Sequence, residues 1–171
     1  MPSVLLLRHA SAAHGAARDH DRSLDAEGRV AAARAGAWLA DHRPGVDAVL
    51  CSSAARAQET WECVRTRWER APEAEIDEGL YMASTGALFA RLQELSENVT
   101  QPLLIGHNPG LQQLGLLLAG GGESYGRLRS SLPAAALATI TLPDSGWPDL
   151  QPASGELTEL VTPADFRASR E

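Results

Sequence analysis

Leu5-Leu6-Leu7-Arg8-His9-Ala10 is the stretch on which the reading of this chain turns. An apolar run ends abruptly in an Arg-His pair, and small polar residues follow. Such a run reads as a buried strand whose last residues project from the carboxyl edge of a sheet, where open α/β sheets bind ligands. A histidine placed there beside a fixed cation is suited to attack a phosphoryl group. Alone, the pair is weak evidence, because arginines past strand ends commonly serve as surface ion-pair partners. What strengthens it is recurrence: a second Arg and a second His stand in matching contexts further along.

Working outward, Val4–Leu7 is the first strand, and residues 11–22 form a polar loop. Asp25 is placed to cap a helix over Ala26–His42, with Val30, Ala33, Ala37 and Trp38 as its apolar face and Pro44-Gly45 as its stop. Ala48–Cys51 is a second strand, followed by a helix from Ala54 to about Arg70 that Ser53 can cap. Glu75–Asp77 is a short strand, and Ser84 or Thr85 opens a helix through about Glu97. Leu103–Ile105 is the third strong strand. Asn108-Pro109 reads as a cap and first helical position for a helix to Ala119, ended by Gly120-Gly121-Gly122. Ala135–Leu142 and Leu157–Val161 are later strands. The alternation predicts an α/β fold: one three-layer domain with a mainly parallel central sheet and helices on both faces. Residues 1–162 are expected to form that domain and 163–171 a flexible tail.

Composition limits the function. The chain has 171 residues, enough for one domain with a substantial core. Its net charge of −7 argues against a nucleic-acid surface. All 15 basic residues are arginine, so arginine abundance carries no information and only position makes one interesting. Cys51 and Cys63 lack metal or disulfide spacing. The apolar runs are too short to span a membrane, and no secretory signal is expected before a strand that begins so early. A cytoplasmic setting is the natural expectation.

Three strand ends carry the chemistry: Arg8-His9; Ser52-Ser53-Ala54-Ala55-Arg56, with Arg56 in the first turn of a helix; and Gly106-His107, just before a helix. Parallel strands place these ends on one edge, where helix N-termini also favour an anion. Arginine forks pair with phosphate oxygens, and their charge keeps a nearby imidazole neutral and nucleophilic. The second histidine can donate a hydrogen bond to the phosphate.

These residues resemble the histidine phosphatase superfamily, which includes phosphoglycerate mutases and acid phosphatases. Its Arg-His-Gly motif reads Arg8-His9-Ala10 here, its Ser-Pro-x-x-Arg-Ala-x-Gln/Glu-Thr motif spans Ser52–Thr60, and its Gly-His is Gly106-His107. The resemblance implies a phosphoglycerate mutase-like fold, His9 as phosphorylated nucleophile, and Arg8, Arg56 and His107 as ligands of the phosphoryl group. The small size is similar to SixA-type phosphohistidine phosphatases, which also carry Asp-x-x-Arg-x-Leu, here Asp19–Leu24. That makes Arg22 a further phosphate ligand by resemblance. The short segment between Glu78 and His107 leaves no room for covering helices, so an open site is expected.

Three departures stand out: Ala10 for glycine, Ser53 for proline, and a displaced acid. Glu78 is the nearest match to the carboxylate that protonates alkoxide leaving groups in this family, and it is offset by one position. A weak acid suits a nitrogen leaving group, whose imidazole is protonated by solvent near its own pKa. The expected function is therefore a metal- and cofactor-independent phosphatase acting on phosphohistidine, in a phosphorylated protein or a small phosphorylated substrate. A small-molecule phosphomonoesterase using Glu78, and a non-catalytic phosphoprotein-binding module, are the alternatives. A metal site from His9, His14, His20 and His107 fits no strong ligand spacing, and His14 and His20 are expected to face solvent.

Overall fold

The structure is a computed structural model that describes residues 1–168. Six strands form one sheet: β1 (Ser3–Arg8), β2 (Ala48–Ser52), β3 (Ala74–Asp77), β4 (Pro102–Gly106), β5 (Leu137–Thr141) and β6 (Glu156–Val161). Their order is β3-β2-β4-β1-β5-β6. β3, β2, β4 and β1 run parallel, and β5 and β6 add two antiparallel pairings. Among the described residues six α-helices surround the sheet: α1 (Ala26–His42), α2 (Ala55–Arg65), α3 (Thr85–Gln93), α4 (Gly110–Leu118), α5 (Tyr125–Ser130) and α6 (Pro163–Ala168). Among the described residues no helix is long and apolar enough to cross a membrane.

Strand alternation divides the core in two. Leu5, Leu7, Leu103 and Ile105 point to one face and pack with Ala35, Trp38 and Leu39 of α1, Trp61 and Val64 of α2, and Phe166 of α6. Val4, Leu6, Leu50 and Leu104 point to the other and pack with Leu88 and Leu92 of α3, Leu111 and Leu114 of α4, and Leu128 of α5. The three-layer expectation holds, because runs such as Val4–Leu7 are apolar on both sides of the pleat and need cover on both faces.

Several local expectations are corrected. Helix α1 has the expected bounds, and Asp25 caps it by accepting from the Gly28 amide at 2.7 Å. Its buried face, however, is Gly28, Ala32, Ala35, Gly36, Trp38 and Leu39, while Val30 lies 51% exposed. In an alanine-rich helix the closest backbone approach decides the inner face, and glycines permit it. Helix α2 ends at Arg65, short of the expected Arg70, and Trp68 turns back to meet Trp61 edge-on with ring centroids 5.7 Å apart. Ser53 does not cap α2; its hydroxyl pairs with His20 instead. Asn108 does not cap α4; its amide donates to the Leu132 carbonyl, and Pro109, after a cis peptide bond, precedes the first turn. Helix α5 was not foreseen. Residues 163–168, expected as the start of a tail, form α6 with Phe166 buried against Trp38. The rest of that expected tail lies outside the described residues.

Gly36 is where the α1–α2 packing is least forgiving. A methyl there would lie 2.3 Å from the Val64 carbonyl oxygen, whereas one at Gly86 meets nothing within 4 Å. Gly36→Ala should therefore cost about 1–3 kcal/mol by forcing two backbones apart. Gly86→Ala should be neutral or stabilising by up to about 1 kcal/mol. Urea denaturation of the two variants checks this, and equal stabilities would contradict the packing argument.

Candidate active site

The sheet register assembles the site. Leu7, Ile105 and Cys51 are aligned across β1, β4 and β2, and the next level holds Arg8 beside Gly106. Ser52 ends β2 opposite Asp77. Because β4 lies between β1 and β2, His107 emerges between His9 and the start of α2, which carries Arg56. All four expected residues converge: the His9 and His107 rings are 5.1 Å apart, and the Arg56 Nε–H points at His9 Nε2 from 3.4 Å. Arg8 closes the group, donating through Nη1 to the Leu132 carbonyl at 3.1 Å.

The protonation state of His9 follows from its contacts. Nδ1 lies 2.8 Å from the Ala10 carbonyl, which only accepts, so Nδ1 carries the proton. Nε2 is thereby left with a free lone pair, directed at the arginine. Burial, followed by the charges of Arg56, Arg8 and Arg22, pushes the His9 pKa down to about 4, against a partly opposing hydrogen bond to Ala10. Burial, then His9 and Arg56, push His107 down to about 3. Both rings are neutral at ordinary pH.

His107 is oriented by Ser52. The buried Ser52 hydroxyl accepts from the Ala54 amide at 3.3 Å, and among the described residues His107 Nε2, 2.6 Å away, is the acceptor for its own proton, so it donates to that nitrogen. The proton of His107 then sits on Nδ1, which is buried with no partner among the described residues. Arg8 Nε is a second buried donor without one. Orphaned donors are costly unless something accepts from them, and two of them beside a neutral histidine and two guanidinium groups describe an anion site.

Residues around this core hold it. Thr60, the last position of the second motif, accepts from the Ala10 amide at 3.0 Å and donates to the Arg56 carbonyl at 2.7 Å. It thus ties the nucleophile loop to α2. Ala10 is fully buried and has no left-handed backbone, so the missing glycine costs nothing here. Arg56 itself is only 3% exposed. Its Nη1 donates to the Asp19 backbone carbonyl at 2.8 Å and its Nη2 to the Asp19 carboxylate at 3.0 Å.

Two candidates stand apart. Arg22 binds the Ala13 carbonyl at 3.0 Å and Asp19 at 3.1 Å, which secures its own loop; it reaches His9 only through its charge. Glu78 is exposed at the start of a 3-10 turn, and its carboxylate makes no hydrogen bond or ion pair among the described residues. His14 is exposed as expected. His20 is not simply solvent-facing: it bonds Ser53 at 2.9 Å and meets the Tyr81 ring at 4.8 Å. Among the described residues no group of three or more His, Cys, Asp or Glu side chains is placed to hold a metal ion. Sequence reading missed the roles of Asp19 and Tyr81. Asp19 stands in the Asp-x-x-Arg-x-Leu segment, three positions before Arg22, and that spacing was the available signal; nothing in the sequence marks Tyr81.

The tautomers are testable. Nitrogen-15 spectra should show His9 and His107 as neutral Nδ1–H forms from pH 8 down past pH 5. The unfolded chain takes up protons on these histidines below their ordinary value of 6.5, whereas the folded protein resists until about 4 and about 3. The unfolded state binds more protons in that window, so stability should fall as pH drops from 6.5 toward 4. Replacing both histidines with glutamine should flatten that part of the stability profile.

The comparisons agree with this geometry. The family model for the histidine phosphatase superfamily (branch 1) matches residues 4–129. An uncharacterised Mycobacterium tuberculosis protein is 34% identical over 162 residues, covering 92% of this chain and 99% of the relative. A Mycobacterium leprae relative, also uncharacterised, is 31% identical over 148 residues, covering 85% and 89%. Among solved structures, a candidate phosphohistidine phosphatase SixA from Nakamurella multipartitia superposes with a TM-score of 0.82 at 29% identity, covering 95% of this chain and 96% of that one. The protein histidine phosphatase SixA in complex with tungstate superposes at 0.80 with 27% identity, covering 96% and 99%. With the sheet order, the converging Arg-His pairs and the family model in agreement, this chain belongs to the histidine phosphatase superfamily, branch 1, as an enzyme with a phosphoglycerate mutase-like fold.

Proposed function

We propose that this protein is a phosphohistidine phosphatase that works through a phosphorylated His9. The observation that carries the reading is the His9 imidazole, its Nδ1–H tied to Ala10 and its Nε2 lone pair facing Arg56. Nε2 attacks phosphorus, the bond to the leaving group breaks, and a phosphohistidine forms on the enzyme. Arg8, Arg56 and the Nδ1–H of His107 offset the charge on the equatorial oxygens. Water then attacks the same phosphorus and releases inorganic phosphate, which regenerates neutral His9. Two guanidinium groups and an imidazole donor supply the stabilisation, so the mechanism needs no divalent ion.

Two features favour phosphohistidine as substrate. Among the described residues the Glu78 carboxylate makes no hydrogen bond or ion pair with the cluster, so nothing there orients it to protonate an alkoxide. An imidazole leaving group does not need one, since P–N is exchanged for P–N and a proton taken from solvent on the far ring nitrogen lets it depart as neutral imidazole. The SixA structures, at 29% and 27% identity, point the same way.

Kinetics on a phosphohistidine peptide, phenyl phosphate and an alkyl phosphate test the reading. The peptide should react fastest, activity should persist in excess chelator, and acid-labile, alkali-stable phosphate should be trapped on His9. His9→Ala should lose turnover while keeping its Tm. Turnover that survives this change removes the nucleophile assignment. A wide preference for the alkyl ester, with phosphohistidine untouched, replaces the proposal with a phosphomonoesterase.

A second comparison separates the site arginine from ordinary ones. Arg56→Lys keeps a charge but loses the fork that spans His9 and Asp19, and should lower kcat about a hundredfold. Among the described residues Arg65 pairs only with Glu62, on the exposed end of the same helix. Arg65→Lys should leave kcat within about twofold, as expected for an exposed pair.

A further inference from the structure

We infer that Asp19 determines leaving-group specificity, its fixed carboxylate selecting a cationic nitrogen leaving group over an alkoxide. This rests on the phosphohistidine reading above and names how the site would recognise that substrate. Asp19 opens the 3-10 turn Asp19–Asp21 in the loop between β1 and α1, and its side chain is 49% exposed. One carboxylate oxygen accepts from Tyr81 Oη at 2.5 Å and Arg56 Nη2 at 3.0 Å; the other accepts from Arg22 Nη1 at 3.1 Å. The hydrogen bond from Tyr81, then those from Arg22 and Arg56, hold the carboxyl far below the usual carboxylate range. Asp19 is therefore an anion at any working pH and has no proton to donate.

Its place relative to the nucleophile matters. The Arg56 guanidinium lies between them, Nε toward His9 and the two terminal nitrogens toward Asp19. The Nε–H thus faces the nucleophile, and the negative charge stands at the terminal nitrogens, half open to solvent. A carboxylate has about four acceptor positions, and three are used within the protein. The remaining one, on the oxygen that Arg22 contacts, is available to a donor entering with the substrate.

An N-phosphorylated imidazole supplies that donor when its other ring nitrogen is protonated. His9 Nε2 then forms its bond to phosphorus as the P–N bond breaks. The electron pair returns to the departing nitrogen, and the proton already on the far nitrogen leaves with a neutral imidazole. No acid from the protein is required. Asp19 favours the protonated, reactive form of the substrate and orients it. An alkyl phosphate must instead place the electron pair on oxygen, where a fixed carboxylate repels it and cannot protonate it. Tyr81 adds a ring at the same place, edge-on to His20 and His107, against which a flat leaving group can lie.

Asp19→Asn removes the charge and keeps an oxygen for Arg56 and Tyr81. Its kcat/KM for a phosphohistidine peptide should fall roughly tenfold, the effect of one partly screened charge pair. Its kcat/KM for the alkyl phosphate should hold or rise. Asp19→Glu, which keeps the charge, should retain the wild-type preference if it folds to the same Tm. A parallel loss on both substrates in Asp19→Asn would show that Asp19 only positions Arg56 and would overturn the inference. Unchanged values on both would overturn it equally. If the wild type itself leaves phosphohistidine untouched, the functional reading falls first, so the two failures are distinguishable.

Discussion

Everything at this site depends on burying a guanidinium beside an unprotonated imidazole. Arg56 is almost fully removed from water, and a buried cation persists only when its donors are satisfied. Asp19 and its backbone carbonyl take two of them, and the His9 lone pair faces a third. That last contact requires a neutral His9. The same burial that lowers the pKa of His9 thus makes it an acceptor for Arg56 and a nucleophile for a substrate. A structure that left Arg56 in solvent would lose the orientation and weaken the pKa shift, whose largest cause is the burial of His9 itself.

Sheet order converts this local constraint into a site. Inserting β4 between β1 and β2 puts the two histidines on neighbouring strands, with the α2 arginine on the far side of the second. The loop after α5 completes the enclosure: the Ala135 amide donates to the Arg8 and His9 carbonyls, and the Leu132 carbonyl gathers both Arg8 and Asn108. Ser52 and Thr60, two hydroxyls of the second motif, then set the His107 tautomer and the position of Ala10. The motif serves to hold its neighbours as much as to supply an arginine.

The polar loop between β1 and α1 is tied down by charged hydrogen bonds as well as by the small apolar cluster of Ala10 and Leu24 with Ala32 and Ala135. Glu59 accepts from the Leu24 amide at 2.6 Å, Asp25 accepts from Ser11 at 2.6 Å, and Arg22 gathers the Ala13 carbonyl and Asp19. These bonds hold an acidic turn over the outer edge of the Arg56 fork, beside Tyr81 and the half-exposed Met82. The rim thus carries the Asp19 carboxylate, itself paired with Arg22 and Arg56, while Asp21 pairs with Arg18.

Much of this was legible in the sequence. Apolar runs closing in Arg8-His9 and Gly106-His107 dictate strands with chemistry at their ends, because a strand apolar on both faces must be covered on both faces and its carboxyl end must open to a ligand. Asp25 and the bounds of α1 were equally plain, since capping is a local hydrogen bond. The inner face of α1, the true end of α2, the pairing of Ser53 with His20 and the helix at Pro163 were not, because each is settled by a contact with a distant segment. Asp19 shows the difference most clearly. In sequence it is the first position of the Asp19–Leu24 segment, a pattern that points to Arg22 rather than to the acid itself. Only the folded chain brings it against Arg56 and Tyr81, residues far along the chain, and it is there, through charge and geometry that no local pattern encodes, that it becomes part of the site.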